Sequence, residues 1–245
     1  MEKLLSVIIP AYNEEKLIGL TISKFVSFLD KQNFSWEIIV VDDGSSDNTS
    51  EIVESVKNPK ISLIRLEKNQ GKGGALKIGF QRATGEYQIF SDADLSVPIE
   101  TITPFLKALK DYDVVIASRR VKGAQIKLHQ PWFRENMGRI FTSLTQILIG
   151  SKVADFTCGF KGFTRISAQE IFGRSLISRW AYDAEIVFLA EKYDLRVLQY
   201  PAAWENRKDT RVVLGKVVLE SLRDLIKIRI NDLQGRYERN VKKDN

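Results

Sequence analysis

Tyr87-Gln88-Ile89-Phe90-Ser91-Asp92-Ala93-Asp94 reads as a short buried strand that stops on two carboxylates. Two Asp side chains spaced i, i+2 at a strand end, with one small residue between them, can share a divalent cation. Hard carboxylate oxygens suit Mg²⁺ or Mn²⁺, and such a cation can hold a diphosphate. Taken alone, Asp92 and Asp94 also read as solvated loop acids that close a strand. What the chain places beside them decides between the two.

Outward from this stretch the chain alternates. Residues 4–10 (LLSVIIP) and 37–42 (EIIVVD) are nearly continuous apolar runs, as expected of strands covered on both faces. Residues 61–66 and 114–117 are two further strands. Helical spacing of Leu17, Ile18, Ile22, Phe25, Val26 and Leu29 fills the first interval. Asp47-Asn48-Thr49 starts a helix, residues 71–74 form a glycine-rich turn leading into another, and Pro98-Ile99-Glu100 opens a third. This alternation predicts an α/β fold: a Rossmann-like, mostly parallel sheet with helices on both faces and ligands at the carboxyl ends of the strands. Three polar clusters fall at such ends, residues 11–14, 42–47 and 91–94, so they are expected to line one crevice.

The second half is less regular. Residues 121–132 have no clean period and read as a mobile loop; 135–149 read as a helix. Residues 155–163 are strand or turn, 183–193 a helix and 195–200 a strand. Residues 213–233 form a basic amphipathic helix that is either packed on the domain or laid on a membrane surface. One domain over residues 1–235 is expected, followed by a charged, disordered tail over 236–245.

Composition narrows the chemistry. The chain has 245 residues and a net charge of +6. Between residues 114 and 154, seven Lys or Arg stand against the single acid Glu135, an excess equal to that of the whole chain. A basic excess confined to one segment implies a local anionic partner. One cysteine, Cys158, excludes a disulfide framework and reads as a small buried residue. The lone His129 gives no histidine metal site and no acyl-transfer triad. The Walker spacing is absent around Gly71-Lys72-Gly73-Gly74, which reads as a helix-opening turn, with anion binding by Lys72 the weaker alternative. No stretch reaches the ~20 apolar residues of a bilayer span, and no signal peptide is visible.

Residues 6–14 (SVIIPAYNE), 40–47 (VVDDGSSD) and Asp92-Ala93-Asp94, in this order and spacing, resemble the family 2 glycosyltransferases of the GT-A fold. Ala117-Ser118-Arg119, the run from Asp155 to Phe163, and Arg179-Trp180-Ala181-Tyr182-Asp183-Ala184-Glu185 resemble the polyprenyl-phosphate branch, and within it the dolichyl-phosphate β-glucosyltransferases most. The resemblance implies an inverting hexosyltransferase using Mg²⁺ or Mn²⁺, with glucose moving from UDP-glucose to dolichyl or another polyprenyl phosphate. Mannose from GDP-mannose is the alternative. It implies that Pro10, Ala11, Tyr12, Glu14, Asp42 and Asp92 hold the nucleotide, and that Asp92 and Asp94 hold the diphosphate and metal, with Asp94 the more direct ligand. Arg119 and Arg134 would meet the acceptor phosphate, and Asp155 or Asp183 would lie near the reacting sugar. The partners expected are a nucleotide sugar, the lipid phosphate and a membrane surface on the cytoplasmic side, with a membrane-protein partner left open and no nucleic acid. A non-enzymatic anion-binding protein is the rival reading, marked by salt-sensitive binding without use of Asp92 or Asp94.

Overall fold

The structure, a computed structural model, describes residues 4–128, 132–205 and 214–239. The elements in chain order are β1 (Leu5–Ala11), α1 (Ile18–Leu29), β2 (Trp36–Asp42), α2 (Thr49–Ser55), β3 (Ile61–Arg65), α3 (Lys72–Arg82) and β4 (Tyr87–Ser91). A 3₁₀ turn over Ile99–Thr101 runs into α4 (Ile102–Ala108), followed by β5 (Val114–Ser118), β6 (Gln125–Leu128) and α5 (Trp132–Ile149). The chain continues through β7 (Phe160–Thr164), α6 (Arg165–Arg174), α7 (Tyr182–Lys192), β8 (Val197–Pro201), β9 (Ala203–Glu205) and α8 (Leu214–Leu233).

Seven strands form one sheet in the order β3-β2-β1-β4-β7-β5-β8. Every pairing is parallel except those of β7, which runs antiparallel to both β4 and β5. The apolar runs behave as expected of strands covered on both faces: all seven residues of β2 are buried. One side of the sheet carries a cluster of Phe80, Phe90, Phe163 and Phe172, with Phe80 stacked on Phe172 at 3.8 Å. The other side packs Ile18, Ile22 and Phe25 of α1 and Phe105 of α4.

The strand order reverses at β1, with β2 and β3 to one side and β4 to the other. A crevice opens outside the carboxyl ends of the strands at such a switch point. Register aligns the rims: Ala11 lies beside Asp42, and Ile8 beside Phe90. Because β7 is antiparallel, its amino end enters at this same edge, pairing Phe160 with Ser91 and Lys161 with Phe90. The Asp155–Gly159 approach to β7 is thereby delivered to the crevice.

Three expectations are revised. Residues 125–128 form β6, which pairs with β9 through Ile126 and Trp204, where a loop was expected. Their Gln-Ile-Lys-Leu alternation suits a strand, but the partner lies more than seventy residues away, out of reach of local pattern. Residues 129–131 lie outside the described residues. Helix α6 was not anticipated, although Thr164 caps it by accepting the Ser167 amide at 3.2 Å. Finally, the charged tail does not begin at Arg236. Tyr237 is fully buried, its hydroxyl donates to Glu185, and its carbonyl accepts from Tyr193 Oη at 2.8 Å. Arg239 meets Glu170 at 2.9 Å. Folded contacts therefore reach residue 239, and residues 240–245 lie outside the described ones. Tyr237→Ala should remove about 3–5 kcal/mol of folding stability by opening a cavity and stripping Glu185 of a donor. A lower urea midpoint with an unchanged slope would register it.

Candidate active site

The site begins with the loops after β1 and β2, which are stitched to each other. Asp43 N donates to Ala11 O at 2.8 Å, Asn13 N to Ser45 Oγ at 2.9 Å, and Glu14 N to Thr49 Oγ1 at 2.8 Å. Asn13 takes φ of +56°, a left-handed turn that Asn tolerates. Pro10, Ala11, Tyr12 and Glu14 then line one wall of a crevice of about 650 Å³. Asp42 does not reach it. Its carboxylate is fully buried, accepting the Ser45 amide at 2.8 Å and the Ser50 hydroxyl. Asp43 lines the crevice instead, anchored by the amides of Gln70 at 2.7 Å and Gly71 at 2.9 Å. Burial pushes the Asp43 carboxyl up, and those amides counter it.

Asp92 and Asp94 form the floor at the end of β4. Asp94 accepts the Ser96 amide at 2.9 Å and hydroxyl at 2.8 Å. Asp92 lies directly over Gly159, to whose carbonyl its amide donates at 3.1 Å. A Cβ at Gly159 would land inside the Asp92 carboxylate, 2.8 Å from Oδ1 and far closer to Cγ and Oδ2. Asp92 Oδ1 accepts the Lys72 ammonium. Burial pulls Lys72 down, but Asp92, with Tyr182 and Asp183, outweighs it and holds the ammonium well above its ordinary range. Asp183 lines the same floor from the first turn of α7 and is paired with Lys161, which is wholly buried and also donates to Cys158 O at 2.9 Å. Burial pushes the Asp183 carboxyl up; Lys161 and Lys72 pull it back. Burial likewise pushes the Cys158 thiol up to about 12, consistent with an inert packed residue.

The far wall carries Arg119, at the end of β5. Asp155 holds it as a fork: Nε to Oδ2 and Nη2 to Oδ1, both at 2.7 Å, while the Arg119 amide donates to Oδ2 at 2.9 Å. Its guanidinium also lies 5.2 Å from the Trp204 ring centre. Asp155 is fully buried behind Arg119 and is not among the crevice-lining residues; what it touches is the guanidinium, which it orients. Arg120 turns away, donating to the Thr142 hydroxyl and to Ala154 O at 3.3 Å. Arg134 is on α5, with its side chain outside the described residues.

Residues 6–172 match the model of Glycosyl transferase family 2. The chain belongs to glycosyl transferase family 2. Among relatives of this glycosyltransferase, the Trichomonas vaginalis protein named dolichyl-phosphate beta-glucosyltransferase is 33% identical over 91% of this chain and 70% of its own. The Homo sapiens protein of that name is 30% identical over 96% of this chain and 78% of its own. A similar solved structure is glucosyl-3-phosphoglycerate synthase from Mycobacterium tuberculosis with Mn²⁺, UDP-glucose and phosphoglyceric acid. It has a TM-score of 0.65 at 20% identity, over 92% of this chain and 79% of its own. Staphylococcus aureus TarS 1–349 gives 0.58 at 21%, over 93% and 66%. These likenesses establish the GT-A fold.

In this family 2 glycosyltransferase the donor set for a metal is sparse. Among the described residues no three His, Cys, Asp or Glu converge on one point. Two carboxylates, Asp92 and Asp94, fit a Mg²⁺- or Mn²⁺-type ion that takes its remaining oxygens from substrate phosphates and water. Sequence reasoning gave no crevice role to Gly159, Arg179, Trp180 or Trp204, and within the 42–47 cluster it singled out Asp42 where Asp43 lines the crevice. Asp43 was one position from the residue chosen, and alternation gives no signal there because every residue of β2 is buried. Trp204 carries no local signal.

Proposed function

We propose that this glycosyltransferase moves glucose from UDP-glucose to a polyprenyl phosphate such as dolichyl phosphate, with inversion at the sugar's anomeric carbon. One observation carries the reading. A single crevice is lined both by an acidic pair suited to a metal-bound diphosphate and by a guanidinium locked by a buried carboxylate. The names of the relatives support the acceptor and the sugar, and neighbouring complexes with UDP-glucose and Mn²⁺ support the donor and the metal.

The residues divide the work. Tyr12 and Glu14 flank the nucleoside, with Asp43 in place of the originally expected Asp42. Asp92 and Asp94 would hold a divalent ion, which would supply positive charge where the diphosphate departs. Arg119, its Nε and Nη2 occupied by Asp155, presents Nη1 to the acceptor phosphate. That phosphate is already ionised, so no strong general base is required. An acceptor oxygen bonds to the anomeric carbon as the bond to UDP breaks, and the electron pair leaves with UDP. A donor panel of UDP-glucose, GDP-mannose and UDP-GlcNAc against a short polyprenyl phosphate is the test. Turnover with UDP-glucose that EDTA abolishes and Mn²⁺ restores is expected; preference for GDP-mannose, or none for any donor, would reject the reading.

The same reading seats the enzyme on an anionic bilayer surface. No helix among the described residues is long and apolar enough to cross a membrane. Helix α8 buries Ser221, Leu225 and Ile228, yet exposes Leu219, Ile226, Ile230 and Leu233 on its opposite side at spacings of seven, four and three. Arg223 and Lys227 are also exposed, along one border of that stripe. The packed neighbour α5 exposes Ile140, Leu144 and Ile147 in the same manner. An apolar stripe edged by basic residues suits a surface-lying helix. Ile226→Glu should cut flotation with acidic vesicles about tenfold while UDP binding persists.

A further inference from the structure

The crevice floor contains a cation without a task in the reaction as described. Lys72 is the first residue of α3, and that turn is pressed hard against the start of α7 and the segment before it: a Cβ on the adjacent Gly73 would lie 2.5 Å from Tyr182 Cβ and 2.7 Å from Ile177 O. The side chain extends into the crevice. Its ammonium rests on Asp92 Oδ1, 5.8 Å from the centres of both the Phe90 and Tyr182 rings. Both partners remain about one-third exposed to the crevice, at 36% and 32%. Lys161 is different. It is sealed beneath the floor, fixed by Asp183 and the Cys158 carbonyl, and cannot reach a ligand.

Asp92 therefore already has a cation where the metal is required. An incoming nucleoside diphosphate brings negative charge to the same place, and the positive charge there must be shared out anew. We propose that Lys72 is a donor-binding residue that exchanges partners: it yields Asp92 to the divalent ion and turns its ammonium onto the donor's diphosphate. This rests on the nucleotide-sugar reading above. Its consequence is a reversal of sign. Without nucleotide, Lys72 and the ion compete for one carboxylate oxygen. With nucleotide, both neutralise the same diphosphate and act together.

The test uses the full chain, with Mn²⁺ alone and UDP as probes. Free Mn²⁺ is read by its paramagnetic resonance signal, and UDP binding by calorimetry with and without Mn²⁺. Lys72→Met should bind Mn²⁺ alone about two- to fivefold more tightly, the gain expected from releasing a partly exposed pair. The same variant should bind UDP about tenfold more weakly or worse, having lost a charge-assisted hydrogen bond. Lys72→Gln should repeat both shifts, which guards against a folding defect peculiar to one variant. Lys72→Arg should restore much of the UDP affinity. Weakening of both ligands together would mark Lys72 as a structural prop and overturn the exchange. Unchanged UDP affinity, or unchanged Mn²⁺ affinity, would overturn it equally. A wild-type chain that binds no UDP under any condition removes the nucleotide-sugar reading, and the exchange falls with it. A wild type that binds UDP beside a variant that binds it equally well removes the exchange alone.

Discussion

Gly159→Ala will lower kcat/KM for the nucleotide sugar by about 10²- to 10³-fold. The new methyl group cannot coexist with the Asp92 carboxylate, since a Cβ there overlaps it. Gly159 has no easy retreat. It is tied through its carbonyl to the Asp92 amide at 3.1 Å, and the next residue, Phe160, is paired into the sheet opposite Ser91. Asp92 must therefore rotate out of the floor, breaking up the proposed metal-binding pair and the Lys72 contact. The loss should appear in binding as well as in rate. UDP affinity measured with Mn²⁺ should drop toward its metal-free value, while the urea midpoint moves little if Asp92 swings into the open crevice. A Gly159→Ala enzyme with normal Mn²⁺-dependent UDP binding would mean that Asp92 does not work from this position.

The second large effect is expected at Arg119. Arg119→Lys should reduce kcat/KM for the polyprenyl phosphate by about 10²-fold while UDP affinity stays within about twofold. Lysine keeps the charge but cannot span both Asp155 oxygens and still present a donor to the acceptor. Arg119→Ala is the harsher change. It leaves Asp155, with a side chain only 1% exposed, as an unpaired buried charge, at a cost of about 3–5 kcal/mol of stability. Asp155→Asn should separate the two roles, since the acceptor KM rises through loss of a fixed orientation. The pH dependence follows the same pair. Burial pushes the Asp155 carboxyl up, but Arg119 outweighs it and holds the group below the ordinary carboxylate range. The depressed value means that the pair stabilises the fold at neutral pH. That contribution begins to fade as pH falls below about 4, the unfolded carboxylate value, and is lost through the lower folded value. Acid unfolding of Asp155→Asn should lack this component.

Much of this site was legible before any fold was known. The three strand-end clusters share one crevice, and Pro10, Ala11, Tyr12, Glu14, Asp92, Asp94, Asp183 and Arg119 all line it. Errors arose where two adjacent residues offered the same chemistry. In the Asp42-Asp43 pair the choice depends on which side chain the loop turns inward, and Ser45 and Ser50 capture Asp42. Asp155 was placed near the reacting sugar by the family resemblance alone. Its burial behind Arg119 is a property of how β5 and the lead-in to β7 meet, and no local pattern records that.

By itself the sequence determined the α/β alternation, the strand ends at which chemistry sits and the family, because apolar runs and Asp-containing motifs are local and read directly along the chain. Tertiary structure alone decided that β7 runs against its neighbours, which brings Gly159 under Asp92 and Lys161 under Asp183. It also decided that Tyr237 closes over Glu185, that Trp204 meets Arg119 and that Lys72 rests on Asp92. The physical reason is common to all of these. Each is a contact between residues 20 or more positions apart, set by strand order and packing, whereas spacing and composition report only on neighbours in the chain.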